Sequence, residues 1–403
     1  MTEIAYLNQF FLEHPSLLPV LDSISPRLPG LIYRRNEFEG GQHSSWYNRV
    51  GKNTMFCQNP NTFEFSKIVS DYSKFFNQSF DQVSDQRCVD LRQSHWHKPW
   101  VIMWSGGIDS TVIIASILRN LPPGDFENIQ VWCNSGSIYE NPKFFIDHIQ
   151  PNFKVVSDYA TMGMDRDVFL FAGESGYVLG LEKYKLHAER SGFDALGQDL
   201  LWANNRDHLV AFCNDNGWPS TPGVNFGNWL YNSVGENIRS TGLPIHNISE
   251  WWWWFLFNTQ WTMNLMQHVD IYCAQENHNH FFKNYIPWYH SNDYQQWAIH
   301  NLNKIVRMKN KSIAKQYIHT VSKDQCYLNF KTKVNSVSRI EHQDFYTLTE
   351  SARPRTHDKD SRANTQIFCV LSNGDCLYLD QHFDQIVELL PQHINLESLN
   401  YLN

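Results

Sequence analysis

The clearest hydrophobic pattern in the chain begins at Trp100. Residues 100–104 form a continuous apolar run of strand length, and residues 111–118 form a longer, mainly apolar run that suits a buried helix. The tripeptide Ser-Gly-Gly at residues 105–107 separates these two runs. Because two successive glycines favour a tight turn, the pattern predicts a strand, a glycine turn and a helix.

The alternation of strand and helix continues as far as residue 172. Apolar runs at residues 129–133, 153–156 and 168–172 predict three further strands, and residues 141–150 predict a helix. Strands that alternate with helices at this spacing are typical of a parallel sheet with helices on both faces. The predicted fold class is therefore α/β, with a parallel, doubly wound, Rossmann-like sheet.

The rest of the chain predicts a helical extension and small terminal regions. Residues 192–303 have a mainly helical pattern, and Ser249 is the predicted N-cap of a helix over residues 251–267. Near the end of the chain, an Asn-Gly pair lies between apolar runs at residues 367–370 and 376–379. That arrangement predicts a β-hairpin.

The length and composition of the chain favour a globular protein with several domains. At roughly 150 residues per domain, 403 residues allow two or three domains. We predict an N-terminal region of uncertain fold at residues 1–97, a central domain at residues 98–345, and a C-terminal region with a hairpin and a helix at residues 346–403. Apolar residues make up 42% of the chain and charged residues 18%, which rules out a disordered or collagen-like polypeptide.

Neither membrane insertion nor secretion is predicted. The densest apolar stretch, residues 251–257, is far shorter than the roughly 18 residues that span a bilayer, and Glu3 stands where a signal peptide has Lys or Arg. The eight cysteines are widely spaced and form no CxxC motif, so we predict reduced thiols rather than zinc ligands or a redox pair. We therefore expect a cytoplasmic protein with no membrane partner.

The charge distribution favours an anionic ligand in one part of the chain. The formal net charge of −8 argues against a protein that coats nucleic acid. Between Lys304 and Arg339, however, there are nine basic residues and one acid, Asp324. This segment, the basic cluster, predicts an anionic partner, and a nucleic acid is one candidate.

The hexapeptide Ser-Gly-Gly-Ile-Asp-Ser at residues 105–110 carries the most informative chemistry. Two glycines let the backbone curl closely around a ligand, and the N–H groups at the start of the following helix favour negative charge. A polyphosphate fits such a nest. Asp109 would repel a bare phosphate, so its presence indicates a magnesium ion that bridges phosphate oxygens. The candidate nucleotide-binding residues are Ser105, Gly106, Gly107, Ile108, Asp109 and Ser110, with Asp109 as a metal ligand.

This hexapeptide, placed after an apolar strand, resembles the PP-loop of the ATP pyrophosphatases, a family that includes asparagine synthetases, NAD and GMP synthetases, argininosuccinate synthetase and tRNA-lysidine synthetase. It lacks the GxxxxGK[ST] pattern of P-loop proteins and the GxGxxG pattern of dinucleotide-binding proteins. The resemblance implies a HUP-type α/β fold with ATP and Mg²⁺ as ligands. It also implies cleavage of ATP between the α and β phosphates and adenylylation of a substrate oxygen.

Two later segments resemble the asparagine-synthetase branch of that family. The Gly-Glu-Ser-Gly sequence resembles its second phosphate motif, which implies nucleotide binding by Gly173, Glu174 and Gly176 and metal binding by Glu174. Lys311 resembles the late lysine of the family, and the resemblance implies that Lys311 and Asp109 are catalytic. The alternatives are an ordinary turn for the glycine motif and a solvated helix face for any single lysine of the basic cluster.

The chain departs from the asparagine synthetases at two places. Tyr177 follows the Gly-Glu-Ser-Gly motif where the family usually has an acid, so Glu174 is the second predicted metal ligand. Thr2 stands where those enzymes have the cysteine nucleophile of their glutaminase, and the first cysteine along the chain is Cys57. The N-terminal region is therefore not predicted to be a working glutaminase.

The resemblance, which covers residues 98–335, predicts an ATP-dependent synthetase that joins a carboxylate to ammonia or an amine. ATP would adenylylate a small-molecule or peptide carboxylate, and the amine would then displace AMP. Two alternatives stay open: an enzyme that modifies a nucleic acid or nucleobase through the basic cluster, and a nucleotide-binding interaction protein without turnover. Glu140, after the second predicted strand, either lines the nucleotide site or caps the following helix.

Overall fold

The chain of the computed structural model divides into two compact units. The hairpin unit comprises residues 1–69, 183–283 and 354–403, and the parallel-sheet unit comprises residues 70–182 and 284–353. The domain boundaries predicted at residues 97 and 345 stay predictions. The structure describes residues 4–7, 76–156, 167–173, 175–182, 207, 247, 249–254, 256–257, 284–331, 368–371, 376–378, 381, 384–385 and 388.

The described strands and helices are numbered in chain order. The strands are β1 (Ile4–Leu7), β2 (Trp100–Met103), β3 (Ile129–Trp132), β4 (Lys154–Val156), β5 (Val168–Phe171), β6 (Tyr285–Pro287), β7 (Phe368–Leu371) and β8 (Cys376–Tyr378). The helices are α1 (Phe80–His95), α2 (Ile108–Asn120), α3 (Ser135–Glu140), α4 (Gly176–Leu179), α5 (Asn292–His300), α6 (Leu302–Arg307), α7 (Ser312–Ser322) and α8 (Gln325–Phe330). Shorter segments are 3₁₀ turns at Pro123–Asn128 and Lys309–Lys311, an α-helical turn at Pro142–Phe144 and a π-helical turn at Phe145–Ile149.

The parallel-sheet unit contains a five-stranded sheet in which all strands are parallel. Its strand order is β4-β3-β2-β5-β6, so the chain runs outward from β2 to β4 and then returns to the other side of β2. Rossmann-like sheets have this order, and the α/β class predicted from the sequence is confirmed. The order reverses between β2 and β5. In such sheets a ligand binds outside the carboxyl ends of the strands at this reversal.

Buried strands and one buried helix form the core of the parallel-sheet unit. Val101 and Ile102 of β2 are fully buried, and all four residues of β5 are also buried. Such continuous burial is expected for central parallel strands, because helices cover their faces. Residues 112–115 of α2 are fully buried as well, and α2 packs against α1 and α7.

The strands of this sheet match the sequence pattern better than the segments between them do. The four strands predicted from apolar runs are present as β2, β3, β4 and β5, whereas β6 has only three residues, including Pro287, and was not predicted. The predicted helix at residues 141–150 is present as two short turns, and α3 precedes it. The chain bends between them at Asn141, whose φ is −151°.

The hairpin unit contains a separate antiparallel sheet. Its strands β7 and β8 form the predicted hairpin, with Phe368 opposite Tyr378 and Val370 opposite Cys376. In addition, β1 pairs with β7, which gives a three-stranded sheet in the order β1-β7-β8. The sequence pattern did not predict β1, because four residues show too little alternation.

The predicted tryptophan-rich helix is present over the residues that the structure describes there, 249–254 and 256–257. The N-cap predicted at Ser249 is wrong, because the Asn247 side chain accepts a hydrogen bond from the Glu250 N–H at 2.9 Å and Ser249 lies inside the helix. The four tryptophans at residues 251–254 are at most 2% exposed. Among the described residues, no helix is long and apolar enough to cross a membrane.

The core of the parallel sheet can be tested at Ile102. We expect Ile102→Ala to lower the free energy of unfolding by about 2–5 kcal/mol, because it leaves a cavity in a fully buried strand. Urea denaturation followed by circular dichroism measures this change. The control is Glu127→Ala at an exposed position, with an expected change below about 0.5 kcal/mol. Equal midpoints for the two variants would contradict the burial of β2.

Candidate functional site

The Ser-Gly-Gly loop lies at the carboxyl end of β2, where the strand order reverses. Gly106 has a φ of +73°, a left-handed conformation that favours glycine. A Cβ atom at this position would lie 2.1 Å from the Ser137 backbone oxygen and 2.7 Å from the Glu140 Cβ. The loop therefore packs directly on α3, and only glycine fits there.

The two serines of the hexapeptide hold the shape of the loop. The Ser110 hydroxyl accepts a hydrogen bond from the Ser105 N–H at 3.1 Å, and the two hydroxyl oxygens are 3.0 Å apart. The Thr111 hydroxyl donates to the Gly107 carbonyl at 2.7 Å. Gly107 is the N-cap of α2 and provides no side-chain cap, so no side-chain oxygen of the N-cap competes for the N–H groups of the first turn. These N–H groups can bind an anion.

Asp109 stands in the first turn of α2 and is the centre of the predicted site. The Lys311 Nζ lies 2.6 Å from its Oδ1 and 2.5 Å from its Oδ2, and the Ser175 hydroxyl donates to Oδ2 at 2.8 Å. The side chains of Asp109 and Lys311 are 24% and 29% exposed, so solvent reaches the pair. The structure thus brings together the helix start after β2, the loop after β5 and Lys311.

The backbone around Lys311 has an unusual conformation. Asn310 and Lys311 have φ values of 50° and 53°, so two successive residues other than glycine adopt the left-handed region. Each costs on the order of 1–2 kcal/mol relative to a relaxed conformation. The Glu182 carboxylate accepts a hydrogen bond from the Asn310 N–H at 3.1 Å. This contact helps to hold the turn from which Lys311 reaches Asp109.

A second ion pair joins α3 to the end of α8. The Lys331 Nζ lies 2.6 Å from Glu140 Oε1 and also donates to the Glu140 backbone carbonyl. The two side chains are 9% and 6% exposed. Because the Glu140 Cβ also adjoins Gly106, this pair supports the loop from the side of α3. The helical turn that begins at Pro142 has no side-chain cap, so the capping role predicted as one alternative for Glu140 is wrong.

The basic cluster does not form one solvated surface. Lys315 is 4% exposed and donates to the Lys331 carbonyl at 3.3 Å, and its burial lowers the pKa of its ammonium group. The solvated-face interpretation is therefore wrong for Lys315 and Lys331. The exposed members among the described residues are Lys304, Arg307, Lys309 and Lys323. Lys333 and Arg339 lie outside the described residues.

Tyr177, at the position of the family acid, is fully buried and supports the site indirectly. Its hydroxyl donates to the Tyr289 carbonyl at 2.6 Å. The Tyr289 hydroxyl in turn donates to the Asp109 carbonyl at 3.0 Å. Burial and the nearby Asp109 carboxylate raise the pKa of Tyr289 well above its ordinary value, so this hydroxyl stays protonated as a donor. Tyr177 therefore holds a neighbour of Asp109 and provides no carboxylate for a metal.

The remaining predicted residues lie around the end of β5 or outside the described part of the chain. Gly173 lies in the turn after β5, and Gly176 is the first residue of α4. Glu174, the second predicted metal ligand, lies outside the described residues. Among the described residues, no group of three or more His, Cys, Asp or Glu side chains could hold a metal ion.

A magnesium ion that arrives with ATP fits this chemistry better than a metal bound by protein alone. Magnesium is commonly held by one or two carboxylates together with substrate phosphates. Asp109 provides one carboxylate beside the anion-binding turn, and Lys311 now contacts both of its oxygens. A magnesium ion at Asp109 would compete with the Lys311 ammonium for these oxygens.

Four residues of this site were not predicted from the sequence. Ser175 lies inside the Gly-Glu-Ser-Gly motif, and Lys331 lies inside the basic cluster, so both had a sequence signal nearby. Glu182 and Tyr289 had no sequence signal nearby. Their roles depend on the path of the chain after α4 and after β6, which local patterns do not specify.

Comparisons with protein-family models, with curated proteins and with solved structures give no match for this chain. The resemblance to the PP-loop family therefore depends on the hexapeptide, the Gly-Glu-Ser-Gly motif and Lys311. The geometry adds that Asp109, Ser175 and Lys311 are in contact at the reversal of the strand order.

The packing of the loop on α3 can be tested with two glycines. We expect Gly106→Ala to lower the free energy of unfolding by about 1–3 kcal/mol, because the new Cβ clashes with backbone in a left-handed conformation. Gly124→Ala is the control, because a Cβ there meets nothing within 4 Å. Urea denaturation of both variants measures the difference. If Gly106→Ala is as stable as Gly124→Ala, the loop does not pack on α3 as described.

Proposed function

We propose that this chain is an ATP-dependent synthetase of the asparagine-synthetase type. It would cleave ATP to AMP and pyrophosphate, adenylylate a substrate carboxylate, and transfer the acyl group to ammonia or an amine. The observation that carries this proposal is the contact of Lys311 with Asp109 in the first turn of α2, at the carboxyl end of β2. A phosphate-binding turn, a carboxylate and an ammonium group then converge where parallel sheets bind ligands.

The residues of the site have distinct tasks in this reaction. The N–H groups of the first turn of α2 bind phosphate oxygens, because they lie at the positive end of the helix dipole. Asp109 would hold the magnesium ion of ATP, which supplies positive charge to the phosphates. The Lys311 ammonium, released from Asp109, stabilises the negative charge that develops on the leaving pyrophosphate.

The second half of the reaction forms the new bond to nitrogen. Ammonia or an amine attacks the carbonyl carbon of the acyl-adenylate, the bond from that carbon to the AMP oxygen breaks, and AMP leaves with the bonding electrons. A base must also remove a proton from the attacking nitrogen. The substrate is a small-molecule or peptide carboxylate in this proposal, and the free amine or ammonia comes from solution or from a partner.

Tyr177 favours a second candidate function, nucleotide binding without turnover. Its side chain is fully buried and its hydroxyl donates to a backbone carbonyl, so it cannot replace a metal-binding acid. A protein that binds ATP at the loop and changes its partners in response would need no such acid.

The remaining alternative is an enzyme that modifies a nucleic acid. This alternative depends on the exposed members of the basic cluster, and a steep weakening of nucleic-acid binding with salt would support it.

The bond of ATP that is cut distinguishes these functions. We expect AMP and pyrophosphate as products, with no ADP, because the loop lacks the lysine with which P-loop proteins reach the γ-phosphate. Incubation with α-labelled ATP, magnesium and pooled carboxylates and amines, followed by chromatography, measures both products. ADP as the main product would contradict the proposed mechanism. ATP binding without any product would favour nucleotide binding without turnover.

The role of Lys311 can be tested against its neighbour Lys309. We expect Lys311→Met to slow pyrophosphate formation about 10²–10³-fold, because a preorganised cation is lost from the transition state. Lys309→Met is the matched control, because Lys309 lies in the same short turn and is exposed, so its charge is screened by water. Circular dichroism checks that both variants fold. Equal rates for the two variants would contradict the assignment of Lys311.

A further inference from the structure

A cavity lies at the amino ends of the strands of the parallel sheet, opposite the carboxyl ends that carry the Ser-Gly-Gly loop. Its volume is about 310 Å³, and it opens at the amino ends of β2 and β3, whose first residues Trp100 and Ile129 line it. These two residues and Leu121, another lining residue, are at most 6% exposed, so they form an apolar floor. The size matches the lower end of the range for small-molecule sites, roughly 300–1,000 Å³.

Arg92 lines this cavity and is fixed by two contacts. Its Nε donates to Asp125 Oδ2 at 2.7 Å, and its guanidinium carbon lies 3.8 Å from the ring centroid of Trp96. Within the described part of the chain, its two terminal nitrogens form no hydrogen bond to protein. A guanidinium that is held at Nε and stacked on an indole presents a rigid pair of donors. Such a pair matches the two oxygens of a carboxylate or phosphate.

The charges around the cavity favour an anion. Among the described residues, Asp125 is the one acid that lines it, and Arg92 already pairs with this carboxylate. Lys98 also lines the cavity, and no ion pair of Lys98 occurs among the described residues. Its ammonium group is therefore available to a ligand. The Trp96 indole is 43% exposed and offers an apolar surface beside these cations.

We propose that this cavity binds a small molecule that carries a carboxylate or a phosphate on a flat apolar group. The terminal nitrogens of Arg92 and the ammonium of Lys98 bind the oxyanion. The apolar floor and the exposed indole of Trp96 contact the flat group. The strands separate this cavity from Asp109, so the ligand is distinct from the nucleotide of the proposed reaction.

Isothermal titration calorimetry of the full chain with benzoate and with phenyl phosphate tests this proposal. We expect at least one of the two to bind with a stoichiometry of one, and the tighter one identifies the oxyanion. Inorganic phosphate lacks the flat apolar group and benzyl alcohol lacks the oxyanion, so both should bind about tenfold more weakly or not at all.

Gly124 provides a variant that blocks the cavity from inside. It lines the cavity, and a Cβ added there meets nothing within 4 Å, so Gly124→Phe can place its ring in the open space. We expect Gly124→Phe to abolish binding and Arg92→Lys to weaken it about tenfold or more, because lysine lacks the donor pair. The matched control is Arg119→Lys, because Arg119 also stacks on a ring and pairs with an acid but does not line the cavity.

Circular dichroism confirms the fold of each variant, and Lys98→Gln replaces any variant that fails to fold. The proposal is wrong if neither benzoate nor phenyl phosphate binds the wild-type chain. It is also wrong if binding survives Gly124→Phe or Lys98→Gln unchanged, since the ligand then lies elsewhere, for example at the phosphate-binding turn of α2. Equal losses of binding affinity for Arg92→Lys and Arg119→Lys would likewise contradict the role of the Arg92 donor pair.

Discussion

The close approach of Gly106 to the backbone of α3 is the constraint on which the candidate site depends. Because no Cβ fits between Gly106 and the Ser137 carbonyl, the loop after β2 can lie this close to α3 only with glycine at residue 106. The same loop leads directly into α2, whose first turn carries Asp109. Ser175 can then donate to the Asp109 carboxylate from the neighbouring loop. One backbone contact thus positions groups from two strands of the sheet.

The two ion pairs near the loop differ in burial and therefore in how easily a ligand can separate them. The Glu140–Lys331 side chains are less than 10% exposed, and breaking such a pair leaves a buried charge without compensation. The Asp109–Lys311 pair is about a quarter exposed, so water can solvate both groups when they part. The buried pair is suited to hold α8 on α3. In the proposed reaction, the solvated pair would exchange its partners for magnesium and phosphate.

Sequence patterns predicted those parts of the fold and site that depend on neighbouring residues. Long apolar runs identified β2 and β5, and the glycine pair identified the turn before Asp109. The family resemblance implied that Asp109 and Lys311 are both catalytic, but their contact was not predicted, because the two residues are 202 positions apart. The hydrogen bonds from Tyr177 to Tyr289 and from Tyr289 to Asp109 had no sequence signal. Both tyrosines are buried by tertiary packing, and an isolated tyrosine in a sequence does not reveal which carbonyl it will reach.

The division of the parallel-sheet unit into two stretches of sequence has a consequence for its synthesis. Strands β2 to β5 leave the ribosome first, whereas β6 and Lys311 follow only after residues 183–283, which belong to the hairpin unit. At about 5–20 residues per second, about a hundred residues take on the order of ten seconds to translate. During that interval β5 is an apolar edge strand without its neighbour, and such edges promote aggregation.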